Sequence, residues 1–406
     1  MPLVDHLLVQ GIQAALGWSD VSPLGSSFSR GRLPDTSICR RLMTSTRLLD
    51  ILTRRSLEPP QLRCFNNGAE LHPSDYLRSQ PNRRRQNIRV VDPGAVTRLL
   101  DTGATLVLDA LDTFDSTMEV ATRALQWWSH ELVQVNAYLT TRSSSGFPIH
   151  WDDHDVIVLQ LAGEKTWDVR SYSRRVPMYR DADPNSAVSE EIVWQGTMEP
   201  GDVMHIPRGY WHQATRDGSQ DPLSLHLTFG FVKRTGVDWL AWLADRAREI
   251  ELFRQDLTRS GSTEERESER ERLEAAAIDL LRASPPNSYL RSRERLQPPA
   301  RQAPHFPPGE VPKSVVCVTE FAPEIQRRDE VVTVYAGGKR TTVKSKAEAA
   351  LSVLLSGCPV DVLALHEESG LDIRSLAGTL VEEGICAHLT NESLSGFTGL
   401  VTVEPS

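Results

Sequence analysis

Residues 154–170, HDVIVLQLAGEKTWDVR, decide the fold that this sequence predicts. The segment contains two apolar strands on either side of Gly163, where a tight turn fits. Short strands separated by Gly and Pro turns at this spacing are typical of a sandwich or barrel. We therefore expect an all-β region, Val133 to Val232. The same pattern continues outward in three further segments: VQVNAYLTT (133–141), EIVWQGTMEPGDVMHIPRGYWHQA (191–214) and PLSLHLTFGFV (222–232).

The segments before this region are predicted to be mixed. STRLLDILTRRSL, from Ser45 to Leu57, has apolar residues at helical spacing. VDPGAVTRLLDTGA (91–104) is predicted to be a second helix, because its proline falls where a first-turn proline is tolerated and its glycine where a helix ends. TLVLDAL, from Thr105 to Leu111, is predicted to be a strand. The first 40 residues show little periodicity, and we expect them to form a capping segment rather than part of a core.

The segments after Lys233 change in character. An amphipathic helix is predicted from Val237 to Leu257, and SGSTEERESERERLEAAAIDLLRA (260–283) is predicted to be a polar lead-in followed by a second helix. An Arg- and Pro-rich linker follows. Beyond it, VVTVYAGG and KRTTVK pair naturally as a hairpin about Gly337 and Gly338, followed by three short helices and a terminal strand. This order is typical of a winged helix.

Composition excludes several classes of protein. Of the 406 residues 39% are hydrophobic and 24% charged, which is ordinary for a folded chain of two or three domains. The 45 basic and 54 acidic residues give a net charge of −9, and residues 311–406 carry 8 basic against 13 acidic residues, a net of −5. Both balances oppose a protein that wraps nucleic acid, so no DNA partner is expected, although a local basic patch remains possible.

Localisation is predicted from what the sequence lacks. No apolar run approaches the 18 or so residues that span a bilayer, so no membrane association is expected. The N-terminus has neither the basic region nor the apolar core of a secretory signal. Five cysteines lie far apart without a CxxC pair, which favours reduced thiols. We therefore expect a cytoplasmic protein.

The residues that carry chemistry are centred on His150-Trp151-Asp152. On a strand, side chains at i and i+2 project from the same face about 6–7 Å apart, so this histidine and carboxylate can bind one metal ion. His212, just after a tight Pro-Arg-Gly turn, is the favoured third ligand. Two histidines and one carboxylate form a facial triad that leaves open positions on Fe(II).

Other residues near the motif compete for these roles. Asp153 points to the opposite face of a regular strand. His154 is about 13 Å from His150 along an extended strand, which favours a supporting role. His205 lies before the turn and is the alternative distal ligand. His226 alternates into the interior, where the ordinary interpretation is a hydrogen-bonded barrel histidine.

The motifs taken together resemble one family. NAYLTTRSSSGFPIHWDDHDVIVLQLAGEKTWDV, GDVMHIPRGYWHQA and SLHLTFGF are similar, in this order, to the JmjC-type cupins of the ribosomal oxygenases, which are Fe(II)- and 2-oxoglutarate-dependent protein hydroxylases. The match is dense from Asn136 to Phe231 and weaker over the flanks. The resemblance implies iron ligands at His150, Asp152 and His212, with no catalytic residue beyond the metal centre.

The resemblance also implies roles for further residues. Lys165 matches the basic residue that holds the distal carboxylate of 2-oxoglutarate. Other cosubstrate positions fall on Asn136, Tyr138 and Ser224, and substrate positions on Tyr138 and Trp151. Two departures concern the substrate entrance: TTRSSSGF (140–147) stands where the family has a Pro-Pro-Gly-like stretch, and Trp151 stands where tyrosine is common.

The implied architecture is α+β. It consists of a double-stranded β-helix (jelly-roll or cupin) JmjC domain with its N-terminal capping segment at residues 1–234, a helical dimerisation region and linker at 235–310, and a winged-helix domain at 311–406. A homodimer is expected from the Trp- and Leu-bearing helix that follows the barrel.

The implied activity is hydroxylation of a β-carbon, on a histidine or arginine side chain of a protein substrate, a ribosomal protein in this family. The iron ligands do not distinguish this activity from tailoring of a peptide natural product. A catalytically silent cupin that binds a peptide or partner is a third possibility, although all three ligands are present. A transcription regulator is disfavoured by the acidic C-terminal part.

Overall fold

The computed structural model describes residues 3–141, 144–178, 186–216, 222–301 and 312–401. Ten α-helices and β-strands precede the β-rich region and contribute to both edges of its larger sheet. In chain order they are α1 (Leu7–Leu16), β1 (Ser29–Arg32), α2 (Ile38–Leu42), α3 (Ser45–Arg54), β2 (Leu62–Asn66), β3 (Ala69–Glu70), β4 (Leu77–Pro81), β5 (Asn87–Val91), α4 (Pro93–Asp101) and β6 (Thr105–Leu108).

The central part is one long helix followed by strands, as the apolar alternation predicts. These elements are α5 (Ser116–Ser129), β7 (Leu132–Thr140), β8 (Ser144–Ser145), β9 (Asp155–Ala162), β10 (Lys165–Tyr172), β11 (Ile192–Met198), β12 (Asp202–Ile206), β13 (Tyr210–Arg216) and β14 (Ser224–Val232).

The remainder is helical at first and then mixed. These elements are α6 (Gly236–Ala247), α7 (Glu251–Arg254), α8 (Thr263–Ala283), α9 (Pro286–Leu296), β15 (Ser314–Cys317), β16 (Glu324–Arg328), β17 (Val331–Ala336), β18 (Lys339–Lys344), α10 (Glu348–Leu354), β19 (Val360–Asp361), α11 (Val362–Ser369), α12 (Ile373–Glu382), β20 (Cys386–His388) and α13 (Asn391–Phe397).

The β-rich region forms two antiparallel sheets. The larger sheet has the order β1-β12-β9-β14-β7-β6-β2-β3, and the smaller has the order β11-β10-β13-β8. In the larger sheet β14 lies between β7 and β9, with Leu227 opposite both Ala137 and Leu159. Two sheets of short antiparallel strands packed on each other make a jelly roll.

Apolar residues explain why the larger sheet is covered on both faces. Along β9, Ile157 and Leu159 belong to the main core, whereas Val156 and Val158 belong to a smaller cluster with Trp167 of the other sheet. A strand buried on both faces needs an almost continuous apolar run, which DVIVLQLA supplies. In β14, Leu225, Leu227, Phe229 and Phe231 are fully buried on the main-core face, as the alternation predicts.

The β9–β10 turn depends on Gly163. Its φ of +59° lies in the left-handed region that favours glycine. A Cβ at this position would lie 1.8 Å from the carbonyl oxygen of Leu223, so any side chain would displace the start of β14. Glycine therefore sets how closely the β9–β10 hairpin approaches its neighbouring strand.

The first 40 residues correct one expectation. Leu8, Val9 and Ile12 of α1 are fully buried in the main core, and β1 pairs with β12 at the edge of the larger sheet. The segment therefore contributes to the core as well as capping the sheet. This role depends on long-range contacts, those of α1 with the core and of β1 with β12, which local periodicity does not show.

The helix predicted from Val237 to Leu257 is interrupted. It consists of α6 and the short α7, with a break after Ala247. A capping box between Thr235 and Asp238 fixes the start of α6. The predicted polar lead-in of the next helix is itself helical, because Ser262 and Glu265 form a second capping box at the start of α8.

Residues 312–401 contain the predicted hairpin and the three predicted short helices. β17 and β18 pair about Gly337 and Gly338, and α10, α11 and α12 follow. This part contacts α5 directly: Trp127 donates a hydrogen bond from Nε1 to the carbonyl oxygen of Thr319 at 3.0 Å. Within the described residues, no helix combines the length and apolar character needed to cross a membrane.

Candidate metal centre

The centre of the site is an antiparallel bridge between two histidines. The backbone N–H of His150 donates to the carbonyl oxygen of His212 at 3.1 Å, and the N–H of His212 donates to that of His150 at 2.7 Å. The two imidazole rings lie 4.4 Å apart between centroids. A pair of backbone hydrogen bonds therefore holds side chains together that are 62 residues apart in sequence (212 minus 150).

Asp152 completes a cluster of three possible metal ligands. One ligand atom from each of His150, Asp152 and His212 lies within 4.8 Å of the others. The carboxylate Oδ2 of Asp152 is 3.5 Å from Nε2 of His212. Two imidazole nitrogens and one carboxylate oxygen on one side of a site are the donor set of non-haem Fe(II) centres, so these residues fit that metal.

Backbone carbonyls orient both histidines. Nδ1 of His150 donates to the carbonyl oxygen of Pro148 at 3.0 Å, and Nδ1 of His212 donates to that of Tyr210 at 3.1 Å. Because Nδ1 carries the proton in each ring, the lone pair on Nε2 remains available to a metal ion. Burial, with a smaller effect from His150, lowers the pKa of His212 to about 4, so this ring is neutral near pH 7.

The local backbone differs from the predicted strand. His150 forms only the isolated bridge, and β9 begins at Asp155. The HxD segment therefore lies in a loop before the strand, and its geometry comes from the bridge to His212. His154 consequently lies on the wall of the same cavity, where Nδ1 contacts Oδ1 of Asp153 at 3.3 Å.

His205 occupies a different environment. It is fully buried in β12, donates from Nδ1 to the carbonyl oxygen of Ser27 at 2.9 Å, and accepts from the N–H of Gly25 at 3.1 Å. Both ring nitrogens are therefore used in holding the N-terminal segment. The structure brings His212, and not His205, to the other two ligands.

The triad lines a cavity of about 460 Å³ between the two sheets. Volumes in this range accommodate small organic ligands. Lys165, the first residue of β10, lines this cavity and is 3% exposed. Trp167 follows two residues later on the same face, with its ring 6.3 Å from that of His212. The cavity therefore contains a metal-ligand set and a buried cation.

Of the other predicted site residues, two line the cavity and two do not. Asn136 and Tyr138 line the cavity; Asn136 accepts at Oδ1 from the backbone N–H of Ala110 at 3.1 Å. Ser224 and Trp151 are absent from the described cavity wall. The Ser224 hydroxyl is buried and accepts from Nε2 of Gln160 at 3.0 Å, which gives it a role in strand packing. Residues 142–143 of TTRSSSGF lie outside the described residues.

His226 contributes a neutral aromatic surface. Its ring stacks on that of Tyr138, its cross-strand partner, at 4.7 Å and 4°. Burial, followed by the charge of Lys165, lowers the pKa of His226 to about 3. The close fit continues at Gly230, where a Cβ would lie 2.8 Å from the ring of His154.

Arg63 is a cavity residue that the motifs did not reveal. It lies on β2, and Asp109 holds its guanidinium in a bidentate pair with distances of 2.7 and 3.0 Å. The guanidinium also lies 5.4 Å from the ring centroid of Phe65. No spacing rule connects residue 63 with the HxD motif, because only the order of strands in the larger sheet brings β2 to this wall.

The fold is a jelly roll, and its cavity contains two histidines and one carboxylate that could hold a metal ion. Residues 112–238 match the family model for the JmjC domain. This part of the chain is therefore similar to JmjC domains, and curated relatives that match it are named ribosomal oxygenases.

Two curated relatives show the extent of this similarity. Ribosomal oxygenase 1 of Homo sapiens is 37% identical over 148 residues, which is 35% of this chain and 22% of that protein. The bifunctional lysine-specific demethylase and histidyl-hydroxylase NO66 of Caenorhabditis briggsae is 31% identical over 204 residues, 49% of this chain and 24% of that protein. The matched part thus spans about a quarter of these relatives.

Solved structures extend the likeness in fold over most of the chain. Ribosomal oxygenase YcfD of Escherichia coli has a TM-score of 0.54 at 16% sequence identity, covering 85% of this chain and 90% of that one. YcfD in complex with cobalt and succinic acid has a TM-score of 0.53 over the same shares of the two chains. At this identity the likeness concerns the fold.

We expect His212→Ala to abolish binding of one Fe(II) or Co(II) per chain, because it removes one of three clustered donors. Calorimetric titration of the metal-free protein measures this loss. The matched control is His205→Gln, whose amide keeps a donor for Ser27 and an acceptor for Gly25, and which should bind metal normally. If His205→Gln lost metal binding while His212→Ala retained it, the metal ligand would be His205 and not His212.

Proposed function

We propose that this chain is an Fe(II)- and 2-oxoglutarate-dependent oxygenase that hydroxylates a histidine side chain of a protein, within the ribosomal-protein class. The observation that carries the proposal is a two-histidine, one-carboxylate cluster that opens into the same cavity as the buried Lys165. The names of the relatives, ribosomal oxygenase and histidyl-hydroxylase, support the substrate class. YcfD bound to cobalt and succinic acid supports the pairing of a divalent metal with a dicarboxylate.

The cavity residues have three different proposed roles: binding the metal, binding the cosubstrate and excluding water. When bound, Fe(II) and 2-oxoglutarate supply the oxidising chemistry, in which one atom of O₂ enters succinate and the other a substrate C–H bond. His150, Asp152 and His212 hold the metal. Lys165 neutralises the distal carboxylate of 2-oxoglutarate in a partly dry pocket, and the apolar wall around Trp167 limits the access of water.

The charges of the cavity favour histidine over arginine as the modified residue. Asp152 is the one carboxylate among the described residues of the wall, and it belongs to the metal cluster. Two cations line the same space, Lys165 and Arg63, and Asp109 already pairs with Arg63. A guanidinium entering this cavity would lose water without gaining a carboxylate partner, which costs several kcal/mol. A neutral imidazole needs only hydrogen bonds.

Neutral polar groups suited to an imidazole line the same wall. Gln134, Asn136, Tyr138 and Thr228 project from the paired strands β7 and β14. Their amide and hydroxyl groups both donate and accept hydrogen bonds, as a neutral imidazole does. Tyr138 therefore remains our proposed contact for both cosubstrate and substrate, and Asn136 our proposed cosubstrate residue. The cosubstrate role of Ser224 and the substrate role of Trp151 stay predictions, since neither residue lines the described cavity wall.

We expect peptides with a central histidine to gain one oxygen atom, 16 mass units by the atomic mass of oxygen, when incubated with Fe(II), 2-oxoglutarate and O₂. Mass spectrometry of an array of ribosomal-protein peptides measures this gain, and succinate release measures the coupled turnover. Matched peptides in which arginine replaces the histidine should stay unmodified. Preferred modification of the arginine set would contradict the charge argument, and metal binding without any turnover would indicate a silent cupin.

We expect Lys165→Ala to weaken 2-oxoglutarate binding by about tenfold to a hundredfold, since a charge-assisted contact contributes roughly 1.5–3 kcal/mol. Lys165→Arg should recover part of the loss, because it keeps the charge with a different geometry. The measurement is an anaerobic titration of the iron-loaded protein, followed by its metal-to-ligand absorption band.

Arg170→Ala is the matched control for Lys165. Arg170 lies on the same strand with its side chain 30% exposed, and it already pairs with Asp168 at 2.9 Å. Its loss should leave 2-oxoglutarate affinity unchanged, and iron occupancy should be normal in all three variants. Unchanged affinity in Lys165→Ala would assign the cosubstrate carboxylate to another cation.

We further propose the organisation given by residues 1–234, 235–310 and 311–406 as oxygenase domain, helical dimerisation region with linker, and winged-helix domain. The order of α10 to α12 around the β17–β18 hairpin supports the last assignment. The boundary at 310–311 lies outside the described residues.

All five cysteines are free thiols, which supports a reducing, cytoplasmic location.

A homodimer is supported by apolar side chains left exposed on the helical region. Trp239 donates to the carbonyl oxygen of Ser284 within the chain, but Leu240 is 55% exposed and Ile278 is 47% exposed. We expect light scattering at micromolar concentration to give twice the 45.3 kDa chain mass. Leu240→Glu should shift this mass toward the monomer, because it places a charge in the proposed interface. A wild-type protein that is strictly monomeric would contradict the proposal.

A further inference from the structure

A second cavity, remote in sequence from the metal-ligand motifs, has a basic lining. A groove of about 450 Å³ runs between α9 and the β17–β18 hairpin. Its lining includes four cations and two serine hydroxyls, with no acidic residue among the lining residues described: Arg291, Arg295, Lys339, Arg340, Ser288 and Ser292.

The spacing of residues on α9 explains half of this lining. Positions 288, 291, 292 and 295 follow the i, i+3, i+4, i+7 rule and form one stripe along the helix. The hairpin turn supplies the other half, since Gly337 and Gly338 have φ values of +58° and +77° and place Lys339 and Arg340 directly after them. The N–H of Gly338 donates to the carbonyl oxygen of Arg295 at 2.8 Å, which fixes the turn against the helix.

Neighbouring carboxylates neutralise only part of this charge. Glu324 pairs with Arg291 and with Arg295, the latter at 2.5 Å, and Glu383 lies 3.5 Å from Lys339. Four cations against two carboxylates leave a net charge of +2. Arg340 has no carboxylate within ion-pair distance among the described residues.

One guanidinium nitrogen in the groove is buried and unpaired. Among the described residues, Nη2 of Arg295 has no hydrogen-bond partner, although its guanidinium lies 4.1 Å from the ring centroid of Tyr335. A buried donor without an acceptor costs about 1–3 kcal/mol, and a ligand oxygen would relieve this cost. The groove therefore combines excess positive charge with an unsatisfied donor.

We propose that this groove binds the phosphate groups of an RNA strand. Guanidinium groups match phosphate oxygens in charge and in fork geometry, and serine hydroxyls are common partners of phosphates. The choice of RNA over other polyanions rests on the proposed function, because a ribosomal-protein substrate is bound to RNA in its assembled state. The net charge of −5 over residues 311–406 does not oppose this, because two of the four cations come from α9, before that segment.

The test measures fluorescence anisotropy of a labelled single-stranded RNA with the full-length protein over a range of salt concentrations. We expect Arg340→Glu to weaken RNA binding by about tenfold or more. It should also reduce the log–log salt dependence by about 0.7 for each phosphate that the protein no longer neutralises. The control is Arg374→Glu on α12, an exposed residue whose substitution changes the net charge equally and should leave RNA binding unchanged.

Each other outcome overturns the proposal. Absence of RNA binding, or equal weakening by both substitutions, would remove the groove as the site. Binding of poly-glutamate in preference to RNA would assign the groove to an acidic protein, and equal binding of single-stranded DNA would remove the preference for RNA. Histidine-peptide hydroxylation should be unchanged in Arg340→Glu, so loss of RNA binding and failure of the oxygenase proposal are separable.

Discussion

The reciprocal backbone hydrogen bonds between His150 and His212 are the constraint on which the site depends. They join the loop before β9, a strand of the larger sheet, to β13 of the smaller sheet. Each histidine then uses Nδ1 to donate to a nearby carbonyl, which leaves both Nε2 atoms available beside Asp152. Ring orientation is thus set by the backbone before any metal binds, so little side-chain entropy remains to be lost on binding.

The fold surrounding this bridge separates two environments. On one face of the larger sheet, Leu227 and Phe229 pack into the main core; on the other, His226 and Thr228 line the cavity. Because side chains alternate along a strand, the same nine residues of β14 build both surfaces. Burial keeps His226 neutral, as its lowered pKa indicates, and so limits the positive charge of the cavity to that of Arg63 and Lys165 among the described residues.

The fold, rather than position in the sequence, also decides where positive charge accumulates on the surface. Residues 311–406 are acidic on balance, yet the β17–β18 hairpin contributes two cations to a groove whose other two come from α9. Net charge over a sequence window averages over faces that point in different directions. A local surface potential depends on which faces meet, and here the turn at Gly338 and its hydrogen bond to Arg295 decide it.

The sequence by itself determined the strand order in the chain, the helices with clear caps and which three possible metal ligands form a cluster. These follow from local rules: alternation, capping residues and motif spacing depend on neighbours within a few positions. The sequence did not determine that α1 enters the core, that the HxD segment is a loop, or that Ser224 lies off the cavity wall. Nor did it reveal Arg63, which reaches the cavity only because β2 joins the larger sheet beside β6. Only the tertiary structure decided these points, because each depends on which strands pair and which faces meet, and no short stretch of sequence contains that information.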